Sequence, residues 1–380
     1  MKGYRSRGRR WLGRSTAAIV ALATAVAFFG VLGSSTSHGA SQHSATKRNP
    51  YASLKGKRVY LVPYWLDNFN TGWTSWMTRD LAKYGIKATT YNANAVASRQ
   101  TTAMQTAVAS RQYAGIIWQP IAQQAAATSI TAIQGAGMAQ VVFTVERPAG
   151  LHVPVMLLNS AEALYGAGRA AAQYITSHHA FGGHVLAAFM NYYPPSPDCD
   201  NRFAGWVAGL KSADPQAKVV YNEGAPSTAA ADTKFANFLT RHINFNVYDG
   251  CGASVGLGGI AAMQAAGIAG AANKVPQHVF ITTEDATPPE LQLLWSKNSA
   301  EMAATLLPPK EGAALAVGLM VKELTGKVKI NSDATVKIHW PLITPNCQRD
   351  RKKMLAEFLG VAGFTVPGCS FKWTGSYTKP

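Results

Sequence analysis

Six short segments hold the side chains best suited to chemistry. The first is Tyr64-Trp65-Leu66-Asp67-Asn68-Phe69-Asn70. Gln119-Pro120, Glu146-Arg147-Pro148, Asp200-Asn201-Arg202, Asp249-Gly250-Cys251 and Glu284-Asp285 follow along the chain. Together they offer aromatic faces, carboxylates and two guanidiniums. Aromatic faces pack on the C–H surface of a sugar ring, while carboxylates and arginine forks hydrogen-bond its hydroxyls. Trp65, Asp67, Phe69, Glu146, Arg147, Arg202, Asp249 and Asp285 are therefore the candidate ligand-binding residues, for a polyhydroxylated ligand. Because Arg147 and Arg202 both bring positive charge, a small anion is the other ligand class. Each residue also has a plainer role. The aromatics can be loop packing, Glu146-Arg147 a solvated pair, Asp285 the N-cap of a helix over PPELQLL, and Arg202 a stem covering apolar surface.

Catalytic patterns are thin. No HExxH and no GxxxxGK[ST] occurs. The Gly-rich run 250–259 misses the dinucleotide pattern because Val255 stands where the last Gly belongs. Asp67, Glu146 and Asp285 could serve a glycosidase as acid and nucleophile, and that remains the enzymatic alternative. The nine histidines are scattered, and His178-His179 reads as a solvated helix end. No catalytic, metal or cofactor site is expected.

The candidate segments follow apolar runs that alternate with helical spacing. Strands are expected at 57–64, 86–93, 113–120, 138–148 and 153–160, with helices at 71–85, 99–112, 125–137 and 166–180. The alternation then restarts: strands at 182–191, 217–224, 245–250, 277–285 and 336–344, separated by further helices. This is an α/β pattern with parallel sheets, and its length suits two similar lobes. A (β/α)₈ barrel is the structural alternative. In open parallel sheets ligands sit beyond the carboxyl ends of strands, where the six segments fall.

Composition narrows the setting. The 380 residues are 47% hydrophobic and only 14% charged, which points away from disorder. Of the net charge of +17, eight units lie in residues 1–50, which hold no acid. The remaining +9 is spread singly, so nucleic-acid binding loses its support. Residues 1–15 are basic and contain Arg9-Arg10, residues 16–33 are apolar, and a small polar run follows. This order is that of an export signal, by the Sec or twin-arginine route, with a retained membrane anchor as the alternative. Residues 1–50 are thus expected to be an export signal and disordered linker, with the rest outside the cytoplasm. In an exported chain Cys199, Cys251, Cys347 and Cys369 read as two disulfides. Cys347–Cys369 is favoured because it closes a short loop in the tail, which leaves Cys199–Cys251. Free thiols and metal binding are the other readings.

With these residues in order, the chain resembles the type I periplasmic binding proteins of the ribose/galactose-binding group, the sugar receptors of ABC importers. The resemblance runs from about residue 55 to 345. It rests on the sequence of segments KRVYLVPYWLDNFNTGW, YAGIIWQPIAQQAAATSITAIQGAGMAQVVFTVER, NRFAGWVAGL, GLGGIAAMQAAG, VFITTEDATPPELQLL and AATLLPPKEGAALAVGLMVKELTGK. By that likeness Asp67 and Phe69 meet the sugar, Glu146-Arg147 stand for the family's Asp-Arg, and Arg202 and Asp285 match its Arg and Asp of the second lobe. The family's Asn-Asp pair falls at Gly252-Ala253 and its Gln at Leu306, so Asp249 is the candidate substitute and the ligand is a less usual sugar or polyol, or not a sugar. The likeness implies three crossings, near residues 160, 307 and 342. One lobe is then 55–159 plus 308–340 and the other 160–307 plus a disulfide-tied 341–380. It also implies a cleft that closes by hinge motion, a monomer, a membrane ABC permease as partner, and no cofactor. A signalling receptor on the same scaffold is the alternative function, and a carbohydrate-active hydrolase a third.

Overall fold

Short apolar runs with no polar alternation form the centre of each sheet, because a parallel strand is covered by helices on both faces. β3 (Gly115–Trp118) and β4 (Ala139–Thr144) are buried at every position. The computed structural model describes residues 51–177, 183–193, 196–268, 279–295, 303–344 and 369–371. The expected export segment and His178-His179 lie outside these residues.

The first sheet has six strands. Its other members are β1 (Arg58–Val62), β2 (Lys87–Thr90), β5 (Val155–Leu157) and β11 (Thr335–Lys337), and the spatial order is β11-β5-β4-β3-β1-β2. All its pairings are parallel. The second sheet contains β6 (Leu186–Tyr192), β7 (Lys218–Ala225), β8 (Val247–Gly250), β9 (Phe280–Asp285), β10 (Ala303–Leu306), β12 (Leu342–Thr344) and β13 (Cys369–Phe371). Its order is β13-β12-β10-β9-β8-β6-β7, parallel except for β12 and β13. Two separate open sheets rule out the barrel.

The chain passes between the sheets three times. After β5 it enters α4 (Ser160–Ser177), which packs on β9 and β10. After β10 it returns through α9 (Pro309–Leu324), which packs on α1 (Asn68–Ala82) and β4. After β11 it crosses again to β12. The sequence suggested one strand over 336–344; instead β11 and β12 belong to different sheets, with 338–341 between them. Pro341 has no N–H to continue a ladder, so the apolar run breaks there. β10 was not expected at all, since AATL is short and featureless.

In the first lobe Trp73 of α1 is fully buried, 4.7 Å from Phe143 of β4, and Phe69 stacks beside it. In the second, α5 (Pro197–Ala213) lies against α4 with backbones almost touching. A Cβ at Gly205 would strike the Ala161 carbonyl, and one at Gly209 the Tyr165 carbonyl. That contact fixes the angle at which α5 presents its first turns. Cys199 of α5 is bonded to Cys251 at the head of α7 (Gly252–Ala265), with Cα atoms 5.5 Å apart. Cys347 lies outside the described residues, and with it the expected Cys347–Cys369 bond. Among the described residues no helix is long and apolar enough to cross a membrane.

Candidate functional site

The carboxyl ends of the two sheets face each other across a cavity of about 330 Å³. That is near the lower end of the roughly 300–1,000 Å³ typical of small-molecule sites. The first lobe supplies Tyr64, Trp65, Asp67, Phe69 and Asn70 from the β1–α1 turn, Gln119 after β3, and Thr144 at the end of β4. The second supplies Tyr192 at the end of β6, Asp198, Cys199 and Arg202 from α5, Cys251 to Ser254 after β8, and Asp285 at the end of β9.

Asp67 is where it is because it caps α1. Its Oδ1 accepts from the Asn70 amide at 2.7 Å, and its Oδ2 accepts from Trp65 Nε1. Asp67 lines the cavity and keeps exposed surface. Burial pushes its pKa up to about 6; the Asn70 amide and the Trp65 indole pull it back, and Asp285 across the cleft adds to the rise. Trp65 lies between Tyr64 (ring centroids 5.6 Å apart) and Tyr192 of the opposite lobe (5.5 Å), so an aromatic corner spans the cleft.

Arg202 is the centre of the second lobe's wall. It is only 5% exposed. Nε and Nη2 reach Asp198 Oδ2 at 2.8 and 2.7 Å, and Nη1 reaches Glu284 Oε2 at 2.7 Å and Asp285 Oδ1 at 2.8 Å. Its guanidinium lies 4.8 Å from the ring of Trp340, in the crossing between β11 and β12. Burial opposes the arginine's charge, and the carboxylates outweigh it, so its pKa stands above the ordinary value. Glu284 is fully buried and also accepts from the Gly252 amide at 3.0 Å. Burial raises its pKa; Arg202 lowers it and Asp249 raises it further. Asp285 and Ala286 both take left-handed backbone, at φ 73° and 44°. Such conformations persist only where surroundings enforce them, and the ion pair to Arg202 is one such constraint.

Of the eight candidate residues, the structure gathers five at the cavity: Trp65, Asp67, Phe69, Arg202 and Asp285. Three lie elsewhere. Glu146 is exposed, and its backbone carbonyl accepts from Thr144. Arg147 turns along the outer edge, to the carbonyls of Val153 and Asp333, Thr335 Oγ1 and the Asp333 carboxylate. It pins the lead into β11, which needs such a tie because it is a three-residue edge strand. Asp249 is fully buried behind the wall, accepting from Thr282 Oγ1 at 2.6 Å and from the Gly250 amide at 2.7 Å. The expected pair of guanidinium clamps is therefore a single arginine, already bound by carboxylates, and an anion finds little to hold it.

The sequence reading missed Tyr192, which falls one residue beyond the expected strand end. It also missed Asp198, although its i,i+4 spacing to Arg202 was visible. Contrary to the expectation of no G-x-S-x-G elbow, Gly252-Ala253-Ser254-Val255-Gly256 has that spacing. Ser254 lines the cavity, but it sits inside α7 without the strained backbone of a nucleophile elbow. Among the described residues no histidine lines the cavity to act as its base. Among the described residues no group of His, Cys, Asp and Glu is arranged to hold a metal ion.

No curated protein sequence matches the chain. Solved structures do match in fold. An ABC transporter solute binding protein from Bacillus halodurans C-125, with bound myo-inositol, superposes with a TM-score of 0.65 at 17% identity, over 80% of this chain and 99% of that one. The myo-inositol binding protein of Caulobacter gives 0.63 at 22% identity, covering 76% and 93%. A periplasmic solute binding protein from Actinobacillus succinogenes 130z, with bound D-allose, gives 0.64 at 17%, covering 76% and 98%. At sequence level a family profile described as a periplasmic binding protein domain matches residues 59–328, so the chain belongs to that family and carries the two-lobed type I fold.

Proposed function

We propose that the protein is an exported receptor of an ABC importer that captures a small sugar or polyol between its lobes and offers the closed form to a membrane permease. The observation that carries this is the cavity itself: aromatic rings, carboxylates and amides from the carboxyl ends of two sheets converge on one small space, and three chain segments join the lobes. Rings pack on the C–H face of a polyol and carboxylates take its hydroxyl hydrogens. The fold relatives bound to myo-inositol and D-allose support this ligand class. The lobes are residues 55–159 with 308–340, and 160–307 with 341–380. Closure is a hinge motion driven by contacts made only in the closed form. The receptor acts as a monomer and releases its ligand unchanged. Residues 1–50 direct export.

The test is a thermal-shift screen of the purified protein with hexoses, pentoses and cyclitols, followed by calorimetry. A true ligand at a hundredfold excess over its Kd stabilises by about 2.7 kcal/mol, visible as a rise of several degrees in Tm. If no sugar or polyol shifts the melt, or if one is converted to product, this function is wrong.

A further inference from the structure

The polar wall of the cavity is one-sided. Its charged lining is Asp67, Asp198 and Asp285 against Arg202 alone. Three of the arginine's five N–H donors are bonded to Asp198, Glu284 and Asp285, and Nη2 lies 2.7 Å from Asp198 Oδ2. The buried polar atoms of the lining that lack partners are Asn70 Oδ1, Gln119 Oε1 and Asp198 Oδ1. All three are oxygens that only accept. Asn70 is 3% exposed, so no bulk water compensates it.

Asp67 adds the positional element. It stands beside the corner made by Tyr64, Trp65 and Tyr192, whose rings meet edge to face. A carboxylate next to several aromatic faces is the chemistry that holds an ammonium group. A neutral polyol covering Asp67 replaces its water with hydroxyl donors but brings no countercharge. A carboxylate or phosphate ligand would meet acceptors and like charges. A cation balances the excess carboxylate of the lining.

We propose that the ligand is a polyol bearing a protonated amine, of the amino sugar or aminocyclitol class, with its ammonium held by Asp67 inside the corner of Tyr64, Trp65 and Tyr192. This rests on the receptor reading above and narrows its ligand. The crowding that raises the pKa of Asp67 supports it, since a bound cation would relieve that penalty.

The experiment is calorimetry at pH 7.5 on the purified protein with matched pairs: glucose and glucosamine, galactose and galactosamine, myo-inositol and an amino-inositol. In the pair that binds, the amine should be roughly tenfold tighter than its neutral parent, the scale of one partly wet charge contact plus one cation–aromatic contact. Asp67→Asn keeps a residue that caps helices well and should bring the two members within about threefold of each other. A neutral parent that binds as tightly as its amine overturns this inference and leaves the receptor standing. An amine preference that survives Asp67→Asn removes Asp67 from its role. Failure of every neutral and aminated compound to bind brings down both.

Discussion

Replacing Arg202 by methionine keeps a stem over Trp340 and removes only the fork that ties α5 to β9. The fork makes one hydrogen bond each to Asp198, Glu284 and Asp285, and Nη2 adds an ion-pair contact to Asp198. Glu284 has no exposed surface, so without the arginine its charge is buried and unpaired. Breaking one side of a buried ion pair costs about 3–5 kcal/mol, and the lost cation–aromatic contact adds up to about 2. A proton on Glu284 limits that cost. The cation is one of the groups holding its pKa down, so its removal moves the folded-state value further above the unfolded one. A folded state that binds a proton more tightly loses stability as pH rises, so the deficit should be largest near pH 8 and shrink towards pH 5. Denaturant unfolding of both proteins across that range measures it, and Tm near neutrality should fall by roughly 10 °C. Arg202→Met combined with Glu284→Gln should recover more than half of the loss, because neither partner then remains unpaired. The contrary result is also clear. A stability loss below about 1 kcal/mol, the range of an exposed pair, together with a large loss of ligand affinity, would mean that the fork is spare in the free protein and serves the ligand directly.

Two other perturbations test the frame around the site. Glu323 of α9 is buried among apolar groups with only the Gln140 amide at 3.0 Å to satisfy it; burial pushes its pKa up to about 9, against that amide's pull. Below the unfolded value near 4.5 the carboxyl is neutral in both states. Above it the unfolded chain gives up its proton and the folded one does not, so stability should drain by roughly 3 kcal/mol between pH 5 and 7.5 and be lost fully as pH passes 9. Glu323→Gln should flatten that part of the pH profile, and an unchanged slope in pH-dependent unfolding would refute the assignment. The Cys199–Cys251 bond spans 52 residues, and a loop of that size contributes about 4 kcal/mol by loop-closure entropy. Replacing both cysteines with alanine should lower Tm and weaken ligand binding, since both residues line the cavity, and calorimetry showing neither change would count against a role for the bond.

What the sequence revealed, and what it hid, follows from which properties are periodic. A parallel strand is a short apolar run, and the loop after it lies at the ligand face, so Trp65, Asp67, Phe69, Arg202 and Asp285 could be placed by counting along the chain. Side-chain direction is not periodic in a loop. Arg147 follows β4 as expected, yet its long stem carries the guanidinium to Asp333, and nothing in Glu-Arg-Pro marks that choice. Asp249 sits within β8 itself, where alternate residues point to opposite faces, and its phase turns it into the protein. The crossing at 338–341 was hidden for a different reason. Residues 336–344, VKIHWPLIT, are rich in β-branched and aromatic residues and read as one run, interrupted only by Pro341.

The two lobes also divide the chemistry unequally, and this bears on how the receptor would switch. The first lobe brings the rings of Tyr64 and Trp65 and the single carboxylate Asp67; the second brings the arginine with its carboxylates. Asp67 and Asp285 therefore confront each other from opposite sides of the cleft, and the second raises the pKa of the first. Like charges brought together by closure oppose it, and the Trp65–Tyr192 contact favours it. A ligand shifts such a balance only by what it adds to the closed form. A donor placed between Asp67 and Asp285 turns the opposing term into a favourable one, whereas a ligand that merely fills the space leaves the repulsion in place. Affinity should then fall as pH drops through about 6, because protonating Asp67 removes the charge that a donor or cation rewards. On the proposed closure, the selectivity of the cleft and its switching would share the same pair of carboxylates.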